Sequence, residues 1–419
     1  MSNSRATTTP GSPTTVRPVD LAARAVLGVL VAAAYLPPLS QVGLRTDLGG
    51  HLRLAESLAV SGRGTLTYPL FYQLTILVRA LIPFELVAKI DPGLGQRQAI
   101  WDVAGVTTAV LIAIVLSQLV YTRIRRVGLD SMPDRSPIPV ALGLSLATLL
   151  VAPLTFLSWS SHHLVQGYIG ITAYENPTNL LAKPFALVLL VLVSAAFTRK
   201  ADPRSVAALA AVSVLSMMAK PSFTICFLPA VLLMWVWRRR RERDLEWRLL
   251  LAGFVVPSIT ILGVQAALAS GQGSISFLPF AVVSDLLDAL GQPTPMFAAY
   301  VLASVAFPLA TLVVATADER RRLALPWLAF AVAVGQFCLF GITGRTDYGD
   351  LGWGAHLCLF LLFVESCALL AGRFRTGTAE GGRRGWRGAE LVLLAFLAAH
   401  LVCGLFLLYR ETSDPAAWW

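Results

Sequence analysis

Lys183 and Lys220 each stand directly before a proline at the edge of an apolar run, and they are half of the four lysines in 419 residues. With Arg345 they could form a cationic site for the phosphate of an anionic lipid headgroup. Lysines at a membrane boundary also snorkel without binding anything. Glu175 and Asn176 precede Pro177. An acid and an amide there suit sugar hydroxyls, and they equally suit a solvated turn. In GRTDYGD, Asp347 and Asp350 flank Tyr348, placed to touch a substrate or to pair with Arg345. His162 and His163 are adjacent, so at most one points into a given pocket; His163 is the candidate. Asp47 and His51 lie one turn apart in RTDLGGH. His51 could ligate a metal with Asp47, orient its carboxylate or face water. Two donors are too few to define a metal site.

These residues must be positioned by a very apolar chain. It is 56% hydrophobic and only 14% charged. Several apolar runs reach about 20 residues, enough to cross a bilayer core. Many such runs in one chain mean an all-α polytopic membrane protein. The net charge of +10 does not indicate nucleic acid, because the basic residues sit in short clusters between apolar runs, where they act as topology signals. The five cysteines lie singly in apolar runs, with no C-x-x-C, and read as packing residues.

About 11 spans follow: 21–42, 99–121, 138–159, 182–198, a hairpin over 205–237 that turns at Lys220-Pro221-Ser222, 248–269, 297–317, 323–342, 353–371 and 389–409. With the N-terminus inside, 24 of the 34 Lys and Arg fall on the cytoplasmic side. Residues 1–20 read as a disordered cytoplasmic tail, 21–410 as a single transmembrane domain and 411–419 as a short outer tail. The first outer loop, 43–98, carries two further elements. Apolar residues at Leu48, Leu52, Leu54, Ala55, Leu58 and Ala59 predict an interfacial amphipathic helix over 48–61, which Asp47 would N-cap. Residues 66–84 hold Pro69 and Pro83 and read as re-entrant or as lying on the outer surface. Every candidate residue then falls on the outer face, in four segments distant in sequence. That convergence suits an active site at a membrane surface. Glu365 and His400 fall inside spans and are expected to face the bundle interior.

In its span number, its cytoplasmic N-terminus and an acid just after the first span, the chain resembles the GT-C superfamily of membrane glycosyltransferases. The resemblance covers most of the chain and rests on one acid, Asp47 in RTDLGGH, at the position where that superfamily carries its catalytic aspartate. It implies transfer of a sugar from a polyprenyl-phosphate donor to a lipid-linked or cell-envelope glycan acceptor. Asp47 would be the general base, with His51 beside it, and Lys183, Lys220 and Arg345 would hold the phosphate. Direct displacement would invert the anomeric centre. Some members use a divalent metal such as Mg or Mn, and the sequence leaves that open. The expected location is the inner membrane of a bacterium, with the site extracytoplasmic and membrane lipids around it.

Three other readings compete. A flippase or transporter of a polyprenyl-linked glycan needs polar groups near the midplane and usually repeat symmetry. A glycan polymerase or ligase acting on a diphosphate-linked lipid shares the topology but leans on outer arginines, which are scattered here. A scaffold requires no such gathering of acids, amides and lysines.

Overall fold

The computed structural model describes residues 18–41, 47–62, 68–83, 96–129, 138–158, 167–170, 176–241, 247–269, 274–343, 351–379 and 388–413. Of the predicted tails, 18–20 and 411–413 are helical, whereas 1–17 and 414–419 lie outside the described residues. Within them the chain is almost wholly helical: α1 Pro18–Leu39, α2 Asp47–Ser61, α3 Leu70–Leu81, α4 Gln96–Leu129, α5 Ile138–Leu150, α6 Pro177–Ala196, α7 Pro203–Ala219, α8 Ser222–Arg239, α9 Arg248–Leu268, α10 Ala281–Asp288, α11 Met296–Val314, α12 Ala317–Leu339, α13 Gly352–Ala379 and α14 Gly388–Ser413. Two three-residue strands, β1 Ile275–Phe277 and β2 Phe340–Ile342, pair antiparallel with Ile275 opposite Ile342.

Among the described residues ten segments are long and apolar enough to cross a membrane, and the protein is an all-α polytopic membrane protein. The eleventh expected span, α7, has 17 residues, at the short end of what a bilayer core needs. Helix α13 is the axis of the bundle. Its most apolar stretch is 94% buried inside the protein, against 28% for α14, which lies at the periphery.

Local chemistry sets several of the boundaries. Asp202 N-caps α7, accepting from the backbone N–H groups of Arg204 and Ser205, and Pro203 takes the first helical position, where no N–H is needed. Thr316 and Glu319 form a reciprocal capping box at the start of α12. The Lys220-Pro221 step ends α7 as expected. Proline disfavours α geometry in the residue before it, and Lys220 is extended at φ −168°, ψ 120°.

One expected span is interrupted. The run 138–159 is helical only to Leu150; residues 151–154 are non-helical and lead into a 3₁₀ turn at Thr155–Leu157. Pro153 cannot continue the helix. Non-helical backbone at membrane depth must be satisfied by protein, and α14 and α11 do so. The His400 carbonyl accepts from the Ala152 N–H at 3.1 Å, and the Ala303 carbonyl accepts from the Leu154 N–H at 3.2 Å. Nε2 of His400 accepts from the Phe307 N–H, so Nδ1 carries the proton and donates to the Ala152 carbonyl at 2.6 Å. His400 is thus fully committed to repairing the break. Gly404 is required beside it, because a Cβ there would collide with the Leu150 carbonyl.

Candidate functional site

Helix α2 begins at Asp47 and lies against the bundle through Leu48, Leu52 and Ala55, all buried. Leu54 and Val60 face outward. This is the amphipathic helix expected over 48–61; it starts at Asp47 itself, which therefore stands in its first turn and not at the expected N-cap, and Leu54, counted with the apolar residues, is exposed. The seat of α2 on α4 depends on Gly105: a Cβ at that position would collide with the Leu52 side chain. Helix α3 has 12 residues, about 18 Å of rise, too short to span. The described part of the segment 66–84, residues 68–83, thus holds no helix long enough to cross the bilayer.

Asp47 meets the start of α6. Its Oδ2 accepts from Nδ2 of Asn176 at 2.9 Å, across 129 residues of sequence. Asn176 is the N-cap of α6 and is 7% exposed. Lys220, at the α7–α8 turn, reaches the same asparagine, with Nζ 3.4 Å from Oδ1. The Lys220 ammonium also lies 4.1 Å from the centroid of the Trp353 ring. Lys183, one and a half turns into α6, is 1% exposed, with Nζ 5.3 Å from the Phe360 ring centroid. Burying an ammonium is costly unless it is paired. The faces of Phe360 and Trp353 and the Asn176 amide oxygen are among the partners of these two.

His51 sits one turn along α2 from Asp47. Its Nδ1 is 3.0 Å from the Tyr72 hydroxyl of α3, and the rings of Phe71 and Tyr72 pack beside it. Burial pushes its pKa down to about 4; the Lys220 charge pushes the same way and the Asp47 carboxylate opposes both. The imidazole is therefore neutral near neutral pH. Asp47 and His51 supply two metal donors, and among the described residues no group of three His, Cys, Asp or Glu comes together to hold an ion. The described donors do not by themselves make a metal set.

Of the residues singled out in the sequence, Asp47, Asn176 and Lys220 are joined by hydrogen bonds, and Lys220 acts electrostatically on His51. Lys183 and Lys220 both lie within electrostatic reach of one further group, His356 of α13. His163, Glu175, Arg345, Asp347 and Tyr348, with Asp350, lie outside the described residues.

No protein-family model matches the chain, and no curated protein matches it by sequence. Among solved structures it is similar to the arabinosyltransferase EmbB of Mycobacterium smegmatis, with a TM-score of 0.42 and 15% identity. The similarity covers 99% of this chain and 40% of that one. This chain thus spans two fifths of that protein's length, and the likeness is too slight to carry an argument.

Three members of the cluster were not found by sequence reasoning: Tyr72, Trp353 and His356. Trp353 and His356 are three apart on α13, and their rings are 5.1 Å apart on one face. The WGAH spacing directly after the polar GRTDYGDLG segment was the available signal. Gly354 between them brings α13 against the start of α8. A Cβ there would lie 2.9 Å from the Ser222 carbonyl and 3.1 Å from Cys226 Sγ. That close approach holds Trp353 under Lys220.

Proposed function

We propose that this protein is a membrane glycosyltransferase of the GT-C type. It transfers a sugar from a polyprenyl-phosphate donor to a lipid-linked or cell-envelope glycan acceptor, at the extracytoplasmic face of a bacterial inner membrane. The observation that carries the reading is the juxtaposition of the Asp47 carboxylate, through Asn176, with the buried ammonium of Lys220. The reaction needs a proton acceptor for a hydroxyl and a cation for a phosphate leaving group, close together.

The acceptor O–H gives its proton to Asp47 as its oxygen bonds to the anomeric carbon. The bond from that carbon to the phosphate oxygen breaks, and the electron pair leaves with the polyprenyl phosphate. A base in hydrogen-bond reach contributes about 10²–10⁴-fold. Lys220, Lys183 and Arg345 offset the charge on the departing phosphate. Attack from the side opposite the leaving group inverts the anomeric centre. His51, neutral and bonded to Tyr72, packs beside the carboxylate and adds no competing charge. His163, Glu175, Asp347 and Tyr348 are proposed to meet the sugars.

The transporter reading is weaker for a specific reason. It would use polar groups inside the bundle, and the two foremost ones are already committed. Glu365 makes a bidentate pair with Arg123 at 2.7 and 2.8 Å, and His400 holds the broken segment after α5.

The test uses purified full-length protein in nanodiscs, a panel of radiolabelled polyprenyl-phosphate sugars and a lipid extract as acceptor. Wild type transfers label and Asp47→Asn does not, while both show the same elution profile and thermal stability. Absence of transfer from every donor overturns the transferase reading. Full transfer by Asp47→Asn removes Asp47 from the base role.

A further inference from the structure

Asn176 has two separable jobs, and only one of them is structural. As N-cap of α6 its Oδ1 accepts from the Asn179 N–H at 2.9 Å, and Pro177 follows at the first helical position. The same oxygen accepts from Thr178 Oγ1 at 2.7 Å and from Lys220 Nζ at 3.4 Å. A backbone N–H and an ammonium can only donate, so this end of the amide must be the oxygen. The NH₂ group is thereby forced toward Asp47, where it donates to Oδ2. Oδ1 of Asp47 is left without a described partner, on a residue that is half-buried.

We infer that Asn176 is the positioning residue for the base. Its amide, oriented by the α6 cap and by Lys220, pins one oxygen of Asp47 and presents the other to the acceptor hydroxyl. The inference rests on Asp47 being the base, and it moves Asn176 from a group that would bind sugar hydroxyls to one that acts through Asp47. Lys220 and Asp47 then touch opposite ends of one amide. The cation that faces the leaving phosphate and the base that faces the acceptor are set relative to each other by a single rigid side chain.

The deciding variant is Asn176→Asp. Aspartate caps a helix as well as asparagine does, and it keeps an acceptor for the Asn179 N–H and for Lys220. It removes only the donor to Asp47 and puts a second carboxylate in its place. Two carboxylates about 3 Å apart cannot both ionise freely, so one of the pair titrates higher. The expected result is a folded enzyme whose kcat against pH has its rising limb displaced upward by about 1–3 pH units, with KM for the acceptor within about twofold of wild type, while the new carboxylate against Lys220 weakens binding of the sugar donor. An unmoved limb with unchanged kcat overturns the inference. A raised acceptor KM with an unmoved limb also overturns it, because Asn176 would then be binding substrate. If Asn176→Asp does not fold, Asn176→Ser retains the cap but falls short of Asp47. It is expected to lower kcat by at least roughly tenfold through misplacement of the base, and unchanged kcat in that variant overturns the inference. Asp47→Asn measured alongside separates the two levels. If it is active, the base assignment itself fails. If it is inactive while the Asn176 variants behave as wild type, only the positioning role fails.

Discussion

Neutral, buried His51 makes the stability of the α2–α3 cap depend on pH in a direction that can be worked out. Its pKa is about 4 in the folded protein, against 6.5 for an unperturbed histidine. Between those values the unfolded chain binds a proton that the folded chain refuses. Stability therefore rises with pH through this window and is lost as pH falls from 6.5 toward 4. Taking the protein from pH 7 to pH 5 traverses about 1.5 of those units, and at 1.36 kcal/mol per unit the loss is about 2 kcal/mol. Glutamine in place of His51 keeps a polar group opposite the Tyr72 hydroxyl but does not titrate. Thermal unfolding of wild type and His51→Gln in nanodiscs at pH 7 and pH 5 isolates the term, because all other titrating groups are common to both proteins. Wild type should lose about 2 kcal/mol more than the variant between the two pH values. Equal losses would mean that His51 is not held neutral, and the account of its burial against Phe71 and Tyr72 would fall. A larger loss in the variant would reverse the sign of the argument outright.

Two further outcomes test the scaffold. Gly105→Ala should drive the Leu52 side chain off α4, costing about 1–3 kcal/mol of stability and most of the transfer activity, because α2 carries Asp47; Leu52→Ala in the same chain should restore both. If activity survives Gly105→Ala alone, the seat of α2 on α4 does not position the base. For orientation, Ser160→Cys should react with a membrane-impermeant thiol reagent added outside intact cells, whereas Arg241→Cys should react only after permeabilisation. Reversed labelling would put the candidate site in the cytoplasm and remove a polyprenyl-linked donor on the outer leaflet.

Much of this architecture is legible in the sequence because bilayers demand length and apolarity, and prolines punctuate both. Pro221 marks the end of α7 as expected, whereas α6 starts at Pro177, five residues before the expected span at 182–198, so that Lys183 and Pro184 lie inside it; Asn176 and Lys220, the residues before Pro177 and Pro221, are the ones that meet. The amphipathic spacing of Leu48, Leu52 and Ala55 gives α2 its buried face. The break after Leu150 is not legible by hydropathy. Val151, Ala152 and Pro153 are as buried and apolar as the helix before them, and what permits the break is a histidine 248 residues away. Partnerships across such separations are set by helix order in space, which periodicity does not encode. The bond from Asn176 to Asp47 and the Arg123–Glu365 pair, 242 residues apart, belong to that class. Asp47 is the first residue of α2 and not its expected cap, and a capping argument says nothing of Asn176.

The described carboxylates fall into two kinds by the partners that hold them. Asp20 is bound by Arg24, Arg125 and the Tyr121 hydroxyl, Glu365 by Arg123, and Glu319 by Arg373. A guanidinium that meets both oxygens of a carboxylate fixes its orientation and satisfies its acceptors. Around Asp47 the cations are lysines, and their partners include the faces of Trp353 and Phe360 and the oxygen of Asn176. Asp47 is held by a neutral amide on one oxygen. The arginine-paired acids tie together helices at their cytoplasm-facing ends in the expected topology. Asp47, Asn176 and Lys220 instead tie α2, α6 and the α7–α8 turn through an amide, and the start of α13 brings Trp353 against Lys220 and His356 against Trp353.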